Sequence, residues 1–120
     1  MGSSKRVLPG RWQPGPPPLL LAAHCHACGD TSFPPRPWCP ECWAETEVVT
    51  LPARGTLYTF TTVHSADRPP LVLGYADFGD VRVLGPLTGA APRIGAPVAV
   101  TETSAGEGGS RGYAFCVSEP

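Results

Sequence analysis

The stretch CHACGDTSFPPRPWCPEC, Cys25 to Cys42, holds two Cys-x-x-Cys pairs separated by ten residues, and the whole chain has only five cysteines. Each Cys-x-x-Cys turn presents two sulfurs on one side of a tight knuckle, with backbone N–H groups aimed at them. Two facing knuckles close a tetrahedral site. Cys25, Cys28, Cys39 and Cys42 suit Zn²⁺, which takes four thiolates at about 2.3 Å. Gly29 follows the first pair, where a positive φ is wanted. Pro40 lies inside the second pair, where its missing donor does no harm. A closed four-sulfur shell leaves no position for water or substrate. The expected role is structural, stabilising a segment too small to bury a core of its own.

Other uses of these thiols are distinguishable. A rubredoxin-like iron site uses the same four ligands and carries electrons. A redox dithiol needs only one pair. His24 and His26 flank Cys25 and allow a Cys₃His set, although four cysteines already stand in register. In a reducing compartment paired cysteines read as metal ligands rather than disulfides. Cytoplasmic localisation is the expectation. The longest apolar run, Leu19 to Ala23, is far short of the roughly 20 residues that cross a bilayer, and MGSSKR has no apolar signal-peptide core behind it.

Working outward, the chain has 120 residues, enough for a zinc-stapled module and one small barrel but not for two full cores. Sixteen prolines and fourteen glycines favour turns over helix interiors. Residues 1–18 end in QPGPPP and read as an extended Pro-rich arm, either disordered or docked on a partner. Residues 19–47 form the zinc ribbon. AETEVVTLP links it to a second half, residues 48–120, with five strand-like runs bounded by Gly, Pro or polar turns. These are GTLYTFTTVH (55–64), PLVLGYADF (70–78), VRVLGPLTG (81–89), PVAVTET (97–103) and GYAFCVS (112–118). FGD (78–80) is a hairpin turn. Pro92 leaves little room for a helix between the third and fourth runs, and SAGEGGSRG is a flexible loop before the fifth. The expectation is a mainly β chain, an N-terminal zinc ribbon followed by a five-stranded OB-fold barrel. An open five-stranded sheet is the competing arrangement.

Catalytic chemistry is hard to place. Cys116, in the last run, reads as a small buried apolar side chain, because no base is an obvious partner. His64 ends the first run and reads either as an exposed or core-satisfied imidazole or as a site facing a pocket or partner. Asp77 and Asp80 flank a turn and read as turn formers. GEGGSRG follows a strand run but opens no helix, so it is not a phosphate-binding loop.

The blocks CHACGDTSFPPRPWCPEC, GTLYTFTTVH, RPPLVLGYADF, VRVLGPL, IGAPVAV and YAFC together resemble the rubredoxin-like zinc-ribbon plus OB-fold family of acyl-CoA-associated proteins. The resemblance covers about residues 19–117, in the family's order. It implies an accessory subunit of thiolases, ketosynthase-like enzymes or hydratases. Catalytic residues would then lie on the partner, the ribbon would bridge to it, and the barrel would help enclose an acyl-CoA pocket. The family usually opens with a helix ahead of the first thiol pair; here Pro14 and Pro16 to Pro18 replace much of it. The Ala, Gly, Pro and Arg content with a single lysine points to a GC-rich bacterial genome, where such subunits serve lipid and natural-product metabolism.

The expected function is a non-catalytic accessory subunit of an acyltransferase or thiolase-type complex, with structural zinc. An acyl-CoA or acyl-carrier-protein substrate would be handled at the partner interface. Arg36, Arg54 and Arg68 are candidates to hold CoA phosphates, and RPPLVL (68–73) could line an apolar pocket. The alternative is a single-stranded nucleic-acid-binding module in which Tyr58, Phe60, Tyr75 and Phe78 stack bases. A net charge of −1, with eight scattered arginines and one lysine, argues against nucleic acid because strand binding normally wants a basic groove.

Overall fold

A computed structural model of the chain describes residues 10–103 and 112–119. The first half of the Pro-rich arm and the SAGEGGSRG loop up to residue 111 lie outside the described residues. Among the described residues nine strands run in chain order and no helix occurs.

Strand β2 (Leu19–His24) is the spine of the N-terminal sheet. Its apolar run is buried on both faces from Leu20 to Ala23, as expected of a strand enclosed by neighbours rather than lying half in water. β1 (Trp12–Gln13), β3 (Thr31–Ser32) and β4 (Glu47–Thr50) all pair with it antiparallel. Two segments therefore differ from their sequence reading. The described end of the arm folds back on the chain's own sheet, setting Trp12 opposite Leu20. The stretch that reads as a linker is β4, whose Val48 and Val49 pair with Ala23 and Ala22. β4 is mostly exposed, so its sequence lacks the apolar alternation that marks a half-buried strand.

The second half closes into a barrel in the order β5-β6-β7-β9-β8, with β8 returning to β5. The strands are β5 (Arg54–Ser65), β6 (Arg68–Phe78), β7 (Val81–Gly89), β8 (Pro97–Thr103) and β9 (Gly112–Val117). β7 and β9 pair parallel, and every other neighbouring pair is antiparallel. This is the five-stranded Greek-key barrel of the OB type, not an open sheet. β5 is the longest strand. Register irregularities between Leu57 and Thr59 and between Val63 and Ser65 mark where it departs from regular pairing with β6. The ends of β5 and β6 are exposed from Thr61 to Leu71.

One apolar core joins the two halves. Leu57, Phe78, Val83, Val98, Phe115 and Val117 fill the barrel, with the Phe78 and Phe115 ring centroids 5.1 Å apart. Leu20, Ala22 and Leu51 pack into the same cluster from the ribbon side. Burying a side chain of Leu size contributes about 1.5–3 kcal/mol, so this contact is a substantial tie between ribbon and barrel. Gly55 lets β5 approach β6 closely. A Cβ there would lie against the Asp77 carbonyl oxygen and 2.9 Å from Phe78 Cδ1.

Candidate metal centre and barrel surface

The two knuckles are built on one hydrogen-bonding plan. In the first, Gly29 N–H donates to Cys25 O and Cys25 N–H to Asp30 O, each at 2.8 Å. In the second, Trp43 N–H donates to Cys39 O and Cys39 N–H to Ala44 O, again at 2.8 Å. The fifth residue of each turn is left-handed, with φ +83° at Gly29 and +66° at Trp43. The sequence reading anticipated the first of these and missed the second, because tryptophan carries no turn signal.

This geometry brings the four predicted sulfurs together. Cys25 Sγ lies 3.5 Å from Cys42 Sγ, Cys28 Sγ lies 3.5 Å from Cys39 Sγ, and all four fall within 4.8 Å of one another. A tetrahedron with 2.3 Å bonds has edges of about 3.8 Å, so the set fits a zinc ion in size and donor type. Cys25 and Cys39 are buried, whereas Cys28 and Cys42 are exposed. Glu41 N–H donates to Cys39 Sγ at 3.4 Å, the kind of backbone contact that spreads thiolate charge.

Backbone N–H groups and neighbouring thiols push three of these sulfurs in different directions. The Cys28 backbone N–H favours the Cys25 thiolate and brings that thiol down to about 7, against the opposing effect of desolvation. At Cys28 the strongest influence is the Asp30 N–H, which favours the thiolate. The Cys39 thiol, desolvation and the other two thiols outweigh it and push Cys28 up to about 12. Cys42 is also raised, the Ala44 N–H being outweighed chiefly by the Cys25 thiol and desolvation. A divalent cation is the natural way to hold four sulfurs so close together as thiolates.

Both flanking histidines are engaged elsewhere. His24 Nδ1 lies 2.8 Å from Thr31 Oγ1, and His26 Nε2 lies 2.6 Å from Glu47 Oε1. Cys116 is half-buried rather than fully buried, between Phe115 and Val117. His64, Arg36, Arg54 and Arg68 are all exposed, and His64 is not part of the sulfur cluster. Asp77 does more than form a turn. Its carboxylate takes two hydrogen bonds from Arg82, at 2.7 and 3.2 Å, and the Arg82 guanidinium stacks 3.5 Å from the Tyr58 ring centroid.

The four aromatic residues considered for base stacking are not one platform. Phe78 is fully buried in the core and the Tyr58 ring carries Arg82 on its face. The outer wall of β5, β6 and β7 instead exposes an apolar set. The pairings Val63↔Leu71, Tyr75↔Leu84 and Leu73↔Pro86 place these residues beside one another. A groove of about 460 Å³ runs from this wall past Leu87 to Tyr113 and Ala114. No helix of the described residues is long and apolar enough to cross a membrane.

Residues 12–48 match the ChsH2 rubredoxin-like zinc ribbon domain, and residues 48–102 match the ChsH2 C-terminal OB-fold domain. The chain is 37% identical over 81 residues to the benzoylsuccinyl-CoA thiolase subunit BbsA of Thauera aromatica, covering 63% of this chain and 56% of that protein. It is also 37% identical over 51 residues to a DUF35 domain-containing scaffold protein of Methanocaldococcus jannaschii, covering 41% of this chain and 36% of that one. The chain thus spans about half, or less, of the length of the curated relatives it matches. Among solved structures, the Ltp2-ChsH2(DUF35) aldolase superposes with a TM-score of 0.69 at 26% identity, over 82% of this chain and 84% of the other. A DUF35-family protein of unknown function from Sulfolobus solfataricus gives 0.55 at 18% identity, over 68% and 67%, and shares the fold. With both domains present in order, and a four-thiol cluster where the ribbon requires one, the chain belongs to the ChsH2-type zinc-ribbon plus OB-fold family.

Proposed function

We propose that this chain is a non-catalytic accessory subunit of a thiolase- or ketosynthase-like enzyme, built on a structural zinc held by Cys25, Cys28, Cys39 and Cys42. The observation that carries this reading is its likeness to a protein named as a thiolase subunit, over 81 residues at 37% identity. The geometry agrees in two respects. The four sulfurs use every corner of a tetrahedral ion, so zinc bound there would cross-link the knuckles and present no free position to a substrate. The outer barrel wall carries exposed apolar side chains suited to a partner surface or an acyl chain.

In this reading the described chain supplies scaffold rather than turnover. Residues 19–47 grip the metal, residues 48–120 offer the barrel wall, and the Pro-rich residues 1–18 precede them. An acyl-CoA or acyl-carrier substrate would be bound on the partner, with the groove near Leu71, Leu73 and Tyr113 helping to enclose its acyl portion. A cytoplasmic setting keeps the thiols reduced for metal.

Co-expression with candidate thiolase- or ketosynthase-like proteins of the same source organism tests this. The expected result is a stable complex by size-exclusion chromatography, in which the partner gains acyl-CoA turnover absent from either component alone. Acyl thioester turnover by this chain alone overturns the reading. So does a chain that elutes unaccompanied and leaves the partner's rate unchanged.

A further inference from the structure

The two knuckles make the same turn with unlike corners. Gly29 is suited to its left-handed conformation, and a Cβ there would meet nothing within 4 Å. Trp43 stands at the corresponding position of the second knuckle. Among the described residues it is the only one other than glycine with positive φ. The left-handed region brings Cβ close to backbone carbonyl oxygen and disfavours every residue but glycine and, less strongly, asparagine and aspartate.

The indole recovers little packing among the described residues. Trp43 is 76% exposed, the largest exposure among the large apolar side chains of the described residues, and it has no ring or cation partner there. The isolated chain thus bears both a disfavoured backbone conformation and a bulky apolar side chain in water. The knuckle hydrogen bonds hold this corner left-handed, and a residue with a Cβ kept in such a conformation is a pointer to function.

The surroundings indicate what would cover it. Trp38, on the other side of Cys39, is half-exposed. By formal charge the ribbon carries Asp30, Glu41, Glu45 and Glu47 against the one arginine Arg36, with Glu47 held 2.6 Å from His26. Glu41 sits inside the second knuckle, and Glu45 bridges to Trp38 just beyond it. An exposed indole in an acidic setting complements a basic protein surface. The negative face of tryptophan is the best aromatic seat for an arginine or lysine, and tryptophan is enriched among residues that dominate interface energy.

We propose that the second knuckle is a docking tip for a basic protein surface, with Trp43 as its anchor and a partner arginine or lysine seated on the indole. This rests on the accessory-subunit reading and assigns that subunit's contact to one turn. A second copy of this chain is the less fitting occupant, since its own ribbon is acidic too.

The test uses the full zinc-loaded chain and the thiolase-like protein that co-purifies with it, comparing wild type with Trp43→Gly and Glu41→Lys. Zinc content and thermal midpoint are measured first, then affinity by calorimetry at low and high salt. Trp43→Gly is expected to keep one zinc, to melt no lower than wild type, and to bind at least tenfold more weakly. Glu41→Lys is expected to bind several-fold more weakly at low salt, with a smaller deficit at high salt. Retention of affinity within twofold by Trp43→Gly overturns this inference alone. Loss of zinc or a sharply lower midpoint also overturns it, because Trp43 would then hold the ribbon together. Dispersal of a homodimer by Trp43→Gly, seen by analytical ultracentrifugation, overturns it in favour of a second copy. A wild-type chain that captures no thiolase-like protein overturns both this inference and the reading beneath it.

Discussion

Cys28 Sγ faces Cys39 Sγ at 3.5 Å across the ribbon, one thiol exposed and the other buried. The pairing crosses between knuckles, so neither turn contains a site by itself. Cys39→Ser should therefore lower zinc well below one equivalent per chain and loosen the ribbon, although three thiols remain. Cys116→Ser, in β9, should leave zinc at one equivalent. Elemental analysis of both variants beside wild type checks this. A Cys39→Ser protein with full zinc would exclude the four-sulfur site.

Asp77 and Arg82 give a prediction about pH. The Arg82 hydrogen bonds hold the Asp77 carboxyl below its ordinary value, against a smaller desolvation effect. A carboxyl depressed in the folded state contributes stability above its ordinary value of 3.8, and that contribution is lost as pH falls through the folded value. Asp77→Asn should therefore melt slightly below wild type at pH 7, and the difference should vanish under strongly acid conditions. The pair is well exposed, so the effect is small and should shrink in high salt. Paired melting curves from pH 7 downward decide it. A gap that widens in acid would contradict the assignment.

The sulfur cluster was legible because its residue types and spacing are the chemistry. The barrel was legible because five apolar runs, punctuated by Gly and Pro, have little other use in so small a chain. β1 and β4 were not. They are short, mostly exposed, and exist because β2 offers both of its edges. Nor could the sequence show that Asp77 reaches Arg82, whose contact depends on the Asp77↔Arg82 register of the β6–β7 hairpin. Phe78 and Tyr58 have similar patterning, yet one fills the core and the other lies under a guanidinium. Periodicity does not tell an inward aromatic residue from an outward one where a bulge intervenes near Leu57.

Gly55 tests how closely the barrel is closed. A methyl group there meets the Asp77 carbonyl oxygen, which belongs to the paired backbone and cannot move alone. It also meets the Phe78 ring at 2.9 Å, in the centre of the core. Gly55→Ala should cost about 1–3 kcal/mol, the usual range for overpacking. Gly112→Ala, with nothing within 4 Å of its Cβ, should be close to neutral. Urea unfolding of the two variants makes the comparison. Equal midpoints would mean that β5 and β6 leave room for a methyl group at residue 55.

Trp43 and Trp38 should respond in opposite directions to the same substitution. Replacing tryptophan by glycine ordinarily removes packing and adds freedom to the unfolded chain, and both destabilise. Trp38 is half-exposed and pairs with Glu45 in an extended bridge, so Trp38→Gly should lower stability by about 1 kcal/mol. At Trp43 little packing is at stake, and the left-handed conformation costs a residue with a Cβ about 1–2 kcal/mol. Glycine removes that cost, and its larger unfolded-state entropy offsets only part of the gain. The isolated Trp43→Gly chain should be as stable as wild type or up to about 1 kcal/mol more so, by chemical denaturation with zinc present. A clear loss of stability there would mean that the indole is held by the ribbon and not kept free for a partner.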